Sequence, residues 1–155
     1  KKVHKAPEYK ALSSSDKELV DNSYSQFKEF IQAFDMVEIR EALRIAMGIS
    51  ALGNKYFQEE NVWEKKNSEP ERYNTVLSIM ANFIRFLSAI LEPFVPSLSA
   101  KINFILNLSS RTEKDETIYK YLFEANKSEI ILTLVPENHE INQPIHLVSE
   151  CKFIL

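Results

Sequence analysis

Apolar residues recur every three or four positions along most of the chain, which is the spacing of amphipathic helices. A capping-box pattern, Ser15 with Glu18, predicts the start of the first helix. Its apolar stripe consists of Val20, Tyr24, Phe27, Ile31 and Phe34. A second stripe predicts another helix from about Met36 to Glu59.

The most apolar segment predicts a central helix that ends at Leu91. A second capping-box pattern, Ser68 with Glu71, predicts its start. Apolar residues from Tyr73 onward cover more than one face, so this helix should contact partners on two sides. The Pro-Phe-Val-Pro sequence that follows should turn the chain into a fourth helix ending near Leu108.

The other segments carry no long helical stripe. Residues 61–67 are interpreted as a short connection between helices. A short helical piece is expected around Ile118–Glu124, followed by the β-branched run Ile130–Val135, which predicts a strand or extended segment. Residues 138–144 are expected to be a loop.

These patterns predict an all-α fold, an antiparallel bundle of about four main helices. Residues 1–13 are expected to be a flexible lead-in, and residues 14–108 the bundle. Residues 109–155 would form an irregular C-terminal extension that contains at most a short strand. This extension should pack on the bundle or dock on another domain, in either case through Ile130–Val135.

The chain contains only two glycines, Gly48 and Gly53, and both fall in the second predicted helix. Phosphate-binding loops of the GxxxxGKS and GxGxxG types need several glycines, so P-loop and Rossmann domains are excluded. A glycine inside a helix costs about 1 kcal/mol relative to alanine. Because Ala42, Ala46 and Gly53 share one stripe, we expect a neighbouring helix to approach closely there.

The formal net charge of −3 argues against a broad basic surface for a phosphate polymer, so any nucleic-acid contact should be local. The run Phe86–Leu91 is too short to cross a membrane, and no membrane partner is predicted. The single cysteine, Cys151, indicates a reducing compartment, the cytoplasm, and is interpreted as a buried thiol. The sequence begins at Lys1, so we expect a piece of a longer protein.

No catalytic or metal-binding constellation is visible. The three histidines, at positions 4, 139 and 146, have no neighbouring ligands at metal-site spacing and are interpreted as solvated loop residues. The acidic pairs Glu59–Glu60 and Asp115–Glu116 are interpreted as solvated charges. The sequence therefore predicts no catalytic residue, no metal and no cofactor for this chain.

Trp63 is the residue with the strongest candidate chemistry. It is the only tryptophan, and Lys65 and Lys66 follow it closely. An aromatic ring beside cations can stack on an unpaired base while lysines meet phosphate. The alternative is that a lone tryptophan anchors packing between helices. Arg85 interrupts the apolar third helix and is interpreted as a structural hydrogen-bond donor.

Two strings of residues resemble the anticodon-binding domain of methionyl-tRNA synthetases, which are class I enzymes. The first is Arg40-Glu-Ala-Leu-Arg44, followed by Gly53-Asn-Lys-Tyr56 and then Trp63. The second is the third helix with Asn82, ending in Leu91-Glu-Pro-Phe-Val-Pro-Ser-Leu-Ser-Ala-Lys-Ile102, which is similar to eukaryotic members in particular. The structural signature comprises Asn54, Tyr56, Asn82 and Arg85. The family usually has proline where this chain has Val62.

The resemblance implies a helical bundle that recognises the CAU anticodon of methionine tRNA beside the enzyme's own catalytic domain. In the family, the tryptophan matching Trp63 stacks on an anticodon base, and we expect Lys55, Lys65 and Lys66 to approach phosphates. The resemblance also implies that the parent enzyme uses ATP to activate methionine. The catalytic signatures of the family are absent, so this chain alone should not catalyse aminoacylation.

Two alternatives remain open at this point. One is a helical protein-interaction module in which Trp63 belongs to the core. The other is the anticodon-binding domain of a leucine, isoleucine, valine or cysteine synthetase.

Overall fold

The computed structural model describes residues 2–108, 122, 124–143 and 145. Within them the helices are α1 (Ser14–Asp35), α2 (Ile39–Glu59), α3 (Val62–Ser68), α4 (Pro70–Leu91) and α5 (Pro96–Ile105). Two 3₁₀ helices, Tyr9–Ala11 and Ser128–Thr133, and two short strands, β1 (Lys2–Val3) and β2 (His139–Glu140), complete the fold. The predicted all-α bundle is confirmed.

Phenylalanines from two helices meet in the core. Phe27 and Phe30 of α1 and Phe83 and Phe86 of α4 are fully buried. The rings of Phe27 and Phe86 meet edge to face, with centroids 5.6 Å apart. The apolar stripes of α1 and α4 therefore close on each other, as their helical periodicity predicts.

Helix α4 is the central helix that the sequence predicts. By length and composition alone it is long and apolar enough to cross a membrane. In this fold 67% of its most apolar window is buried inside the protein. Its hydropathy therefore reflects its contacts with neighbouring elements on more than one side.

The two predicted capping boxes are wrong. Helix α1 is capped by Ser13, whose Oγ accepts a hydrogen bond from the Asp16 backbone N, while the Asp16 carboxylate accepts one from the Ser13 backbone N. This pair lies two residues before the predicted one. At α4, Ser68 donates to the Glu64 carbonyl instead of capping, and the helix begins at Pro70 without a side-chain cap.

Gly53 lies where the sequence predicts a close helix approach, and the structure confirms it. A Cβ built on Gly53 would lie 2.2 Å from Cε1 of Phe83, far inside van der Waals contact. Gly48 is less crowded, since its closest neighbour would be the flexible Gln26 side chain, with Oε1 at 3.0 Å. The absence of a side chain at Gly53 lets α2 and α4 pack directly.

The lead-in and the C-terminal segment differ from the predictions. Residues 2–12 pack on the bundle, with Val3 and Leu12 buried, and β1 pairs with β2 in antiparallel register. The run Ile130–Val135 is mostly 3₁₀ helix, and Ile131 is buried in the core. Packing against the bundle overrides the β-branched propensity of this run. The run contacts the bundle, which is one of the two arrangements that the sequence leaves open. Several predictions lie outside the described residues: the acidic pair Asp115–Glu116, most of the helical piece predicted around Ile118–Glu124, and the roles of His146 and Cys151.

Candidate nucleic-acid interface

The segment predicted to be a connection, residues 61–67, is in fact mostly helix α3. Asn61 turns the chain into it in the left-handed conformation, with φ 45° and ψ 49°, which asparagine tolerates better than most residues. Val62 follows and is 1% exposed, so it anchors the first turn of α3 in the core. The position where the family usually has proline is therefore occupied by a core residue.

Trp63 lies next to this buried anchor but on the outside of the protein. Its side chain is among the most exposed large hydrophobic groups described, at 79%. Phe57 of α2 supports it edge to face, with ring centroids 5.7 Å apart and an interplanar angle of 86°. The alternative in which Trp63 is a core residue is wrong, and most of the indole is accessible to a ligand.

The three candidate lysines have different surroundings. Lys66 is exposed, one helical turn after Trp63, and Lys55 is exposed with its Nζ 3.8 Å from a Glu59 oxygen. Lys65 differs from the prediction, because it is only 24% exposed and its Nζ lies 2.8 Å from Glu60 Oε2. Lys55 and Lys65 therefore both have a carboxylate partner, a distant one for the exposed Lys55 and a close one for Lys65. Lys66 has no carboxylate at ion-pair distance among the described residues.

Lys65 belongs to a set of charges that we call the ion cluster, which consists of Asp16, Glu60, Lys65 and Arg72. Asp16 is 1% exposed and accepts two hydrogen bonds of 2.8 Å from the Arg72 guanidinium. The Tyr56 hydroxyl donates a third, at 2.7 Å. The predicted signature residue Tyr56 thus ties α2 to α1 through a buried carboxylate.

Glu60 is the second carboxylate of the ion cluster and corrects the prediction of a solvated charge. It is 7% exposed and accepts hydrogen bonds from Arg72 Nε at 3.0 Å, Lys65 Nζ at 2.8 Å and Ser15 Oγ at 2.9 Å. The residue predicted as a helix cap, Ser15, therefore holds Glu60. The ion cluster joins the start of α1, the end of α2, α3 and the start of α4.

For both carboxylates of the ion cluster, hydrogen bonds lower the pKa by more than burial raises it. Burial raises the pKa of Glu60, but hydrogen bonds from Arg72, Lys65 and Ser15 lower it to about 2. Burial also raises the pKa of Asp16, and hydrogen bonds from Arg72, Tyr56 and Ser13 bring it below its ordinary value. The hydrogen bond to Asp16 raises the pKa of Arg72, so all three groups are charged at neutral pH.

The pKa shift of Glu60 predicts acid sensitivity. Because its folded pKa lies below the unfolded value of 4.5, its contribution to stability is complete above that pH and is lost as pH falls towards 2. Urea unfolding midpoints should therefore fall steadily over this window, and the Asp16 shift acts in the same direction. Glu59→Gln should keep the same pH profile because Glu59 is exposed. A midpoint that is constant across the window would contradict the pairing.

Two other signature residues have structural roles, and one is solvent-exposed. Asn82 donates to the Ser78 carbonyl at 2.9 Å and accepts from the Val135 backbone N at 2.8 Å, so it fastens the C-terminal segment to α4. Arg85 donates to Asn103 of α5, as its predicted structural role requires. Asn54 is exposed at the edge of a groove.

This groove lies beside the Phe57–Trp63 pair. It has a volume of about 630 Å³, and its wall includes Phe57, Leu77 and Met80, with the amides of Asn54 and Asn74 at its edge. Phe57 is shared between the groove and the contact with Trp63. Phe57 thus lies between the exposed indole and a mostly apolar recess.

The histidines give no support for a metal site among the described residues. No group of three or more metal-ligating side chains occurs in that part of the chain. His4 is exposed, whereas His139 is half-buried and its Nε2 lies 2.6 Å from the Leu106 carbonyl oxygen. His139 therefore differs from the predicted solvated residue and fastens β2 to the end of α5.

A helical bundle that presents an exposed tryptophan with an exposed lysine in the same helix defines a helical domain suited to single-stranded nucleic acid. The family model described as the anticodon binding domain of methionyl tRNA ligase matches residues 6–143. The chain belongs to this family.

Relatives agree with this assignment. A probable cytoplasmic methionine–tRNA ligase of Dictyostelium discoideum is 34% identical over 139 residues, which are 90% of this chain and 17% of that protein. A probable methionine–tRNA ligase of rice, Oryza sativa subsp. japonica, is 29% identical over 88% of this chain and 17% of its own length. The chain therefore spans about a sixth of these relatives.

A solved structure supports the fold. The free form of the Mycobacterium tuberculosis methionyl-tRNA synthetase matches with a TM-score of 0.72 over 94% of this chain and 27% of the synthetase, at 18% identity. The bundle is therefore an arrangement already seen within a synthetase.

Proposed function

We propose that this chain recognises the CAU anticodon of methionine tRNA, with Trp63 stacking on an unpaired anticodon base. The observation that carries the proposal is the exposure of Trp63, 79%, at the position that the family resemblance selects. A tryptophan that served only to pack helices together would be buried.

The surroundings of Trp63 support stacking. Phe57 braces the indole edge to face and leaves most of its surface to solvent. Stacking of a base on an aromatic ring contributes roughly 1–3 kcal/mol and tolerates any base, so neighbouring contacts must supply specificity. The groove beside Phe57, with the amides of Asn54 and Asn74, offers such contacts.

Phosphate contacts are assigned to Lys55 and Lys66. Both are exposed: Lys66 lies in the same helix as Trp63, and Lys55 lies on α2, where it pairs with Glu59. The net charge of −3 restricts the attraction to this local region, so we expect a small number of phosphate contacts and a modest dependence on salt.

The wider assignment concerns the longer protein. Because the curated relatives are methionine–tRNA ligases of which this chain matches only 17%, we assign this chain to the tRNA-recognition part of such a ligase. A catalytic domain elsewhere in that protein would use ATP to activate methionine and then esterify the tRNA. We place the enzyme in the cytoplasm, in line with the name of the Dictyostelium relative.

The Trp63→Ala variant tests the stacking role. We expect a methionine anticodon stem-loop to bind about 5- to 150-fold more weakly, which corresponds to the loss of roughly 1–3 kcal/mol. Affinity is measured by fluorescence anisotropy of the end-labelled RNA with the whole chain. The fold should be unchanged because the side chain is exposed, and circular dichroism checks this. Trp63→Phe keeps a ring and should lose less affinity.

Two results would overturn the proposal. One is equal affinity of the Trp63→Ala and wild-type chains, with no quenching of the single tryptophan on RNA binding. The other is equal binding of stem-loops carrying leucine, isoleucine, valine or cysteine anticodons, which would contradict recognition of CAU.

A further inference from the structure

Helix α3 is too short to hold its own orientation. It has seven residues, and isolated helices of this length are not stable in water. Two side chains tie it to the bundle: Val62, buried in the core, and Lys65, whose Nζ lies 2.8 Å from Glu60. Trp63 lies between Val62 and Lys65 in the sequence, so the contacts of both residues control where its ring points.

Glu60, the partner of Lys65 in this ion pair, is itself held in place. Arg72 of α4 holds Glu60 through Nε at 3.0 Å and a second guanidinium nitrogen at 2.6 Å. The same guanidinium is held by the buried Asp16 of α1 with two hydrogen bonds of 2.8 Å. Because several hydrogen bonds hold the Glu60 carboxylate, it fixes the position of the Lys65 ammonium group.

We propose that Lys65 and Glu60, supported by Arg72 and Asp16, are positioning residues that orient Trp63 for stacking. Lys65 acts by fixing α3 to the bundle and does not contact phosphate. The inference rests on the proposed RNA-binding role of Trp63, but it makes statements about the free protein that can be tested without RNA.

For Glu60→Gln, a positioning role and simple electrostatics predict opposite changes in RNA affinity. This change removes a negative charge and frees Lys65, so electrostatics alone would strengthen RNA binding. If Glu60 positions Trp63, binding of the methionine stem-loop should instead weaken at least about fivefold, towards the affinity of Trp63→Ala. The matched control is Glu59→Gln, which makes the same charge change at the adjacent exposed residue. It should bind as tightly as wild type or slightly tighter.

The dependence of affinity on salt separates the two roles of lysine. A lysine that meets phosphate on a single strand lowers the slope of log affinity against log salt by about 0.7 when it is removed. Lys66→Met should show this decrease. Lys65→Met should weaken binding with an unchanged slope, and it should reduce the quenching of Trp63 at saturating RNA.

A measurement on the free chain is independent of RNA. Because the chain has one tryptophan, its fluorescence anisotropy reports on Trp63 alone. It should fall in Glu60→Gln and Lys65→Met, and stay at the wild-type value in Glu59→Gln and Lys66→Met. Circular dichroism verifies that each variant is folded, and Lys65→Met serves as the test if Glu60→Gln unfolds.

The outcomes distinguish the two proposals. If the wild-type chain binds no RNA but the tryptophan anisotropy falls in Glu60→Gln and Lys65→Met, the anticodon function is wrong. The control of α3 by the ion cluster then still stands. If RNA binds through Trp63 but Glu60→Gln binds as tightly as Glu59→Gln, or Lys65→Met lowers the salt slope, the positioning role is wrong.

Discussion

Replacing Arg72 with methionine is expected to lower the free energy of unfolding by about 3–5 kcal/mol. The substitution keeps most of the aliphatic volume but leaves Asp16, which is 1% exposed, without a cationic partner among the described residues. An unpaired buried carboxylate costs far more than a lost surface contact, because no water replaces the missing hydrogen bonds. Glu60 keeps Lys65 and Ser15, so most of the loss should arise at Asp16.

Urea denaturation measures this effect, and Arg44→Met is the matched control. Arg44 also pairs with a carboxylate, Glu41, but both side chains are exposed, so its removal should leave the unfolding midpoint almost unchanged. Adding Asp16→Asn to Arg72→Met should recover part of the stability by removing the orphaned charge. Equal midpoints for Arg72→Met and Arg44→Met would show that the ion cluster contributes little.

The ion cluster is also the part of the site that sequence patterns could not predict. Asp16, Glu60 and Arg72 are far apart in sequence, and each one alone has the appearance of an ordinary surface charge. Glu60 follows Glu59 directly, which is typical of a solvated pair. Only the meeting of the ends of α1, α2 and α4 in space shows that one of these two carboxylates is buried.

The long helices were predictable because their stripes are long. Helix α4 has 22 residues, about six turns, with apolar residues on several faces, and the prolines that follow it predict its end at Leu91. The helix starts were not predictable to the same degree. Residues 13 to 15 are three consecutive serines, and the sequence alone does not decide which of them caps α1 and which binds Glu60.

The accessibility of Trp63 depends on a local backbone feature that pattern analysis missed. Val62 and Trp63 are adjacent apolar residues, yet one is buried and the other exposed. The left-handed turn at Asn61 starts a helix there, and in a helix neighbouring residues face different directions. The family resemblance selected Trp63, but the exposure that makes stacking feasible came from the structure.

The second large effect is expected for Gly53→Ala, which should lower the free energy of unfolding by about 1–3 kcal/mol. At an open helical position this substitution would stabilise the protein by about 1 kcal/mol. Here the new methyl group would lie 2.2 Å from Cε1 and 2.8 Å from Cζ of Phe83. Phe83 is buried among other core rings and cannot move aside without shifting α4.

Gly48→Ala is the matched control, since it makes the same change in the same helix. Its Cβ would meet only the end of the flexible Gln26 side chain, so stability should be unchanged or rise by up to about 1 kcal/mol. The urea midpoint should therefore fall in Gly53→Ala and stay the same or rise in Gly48→Ala. Combining Gly53→Ala with Phe83→Leu should cost less than the sum of the single changes, because the smaller side chain relieves the overlap. Additive costs would mean that Phe83 does not hold α2 and α4 at their close spacing. Some other contact would then have to explain why a glycine, which destabilises a helix, stands at position 53.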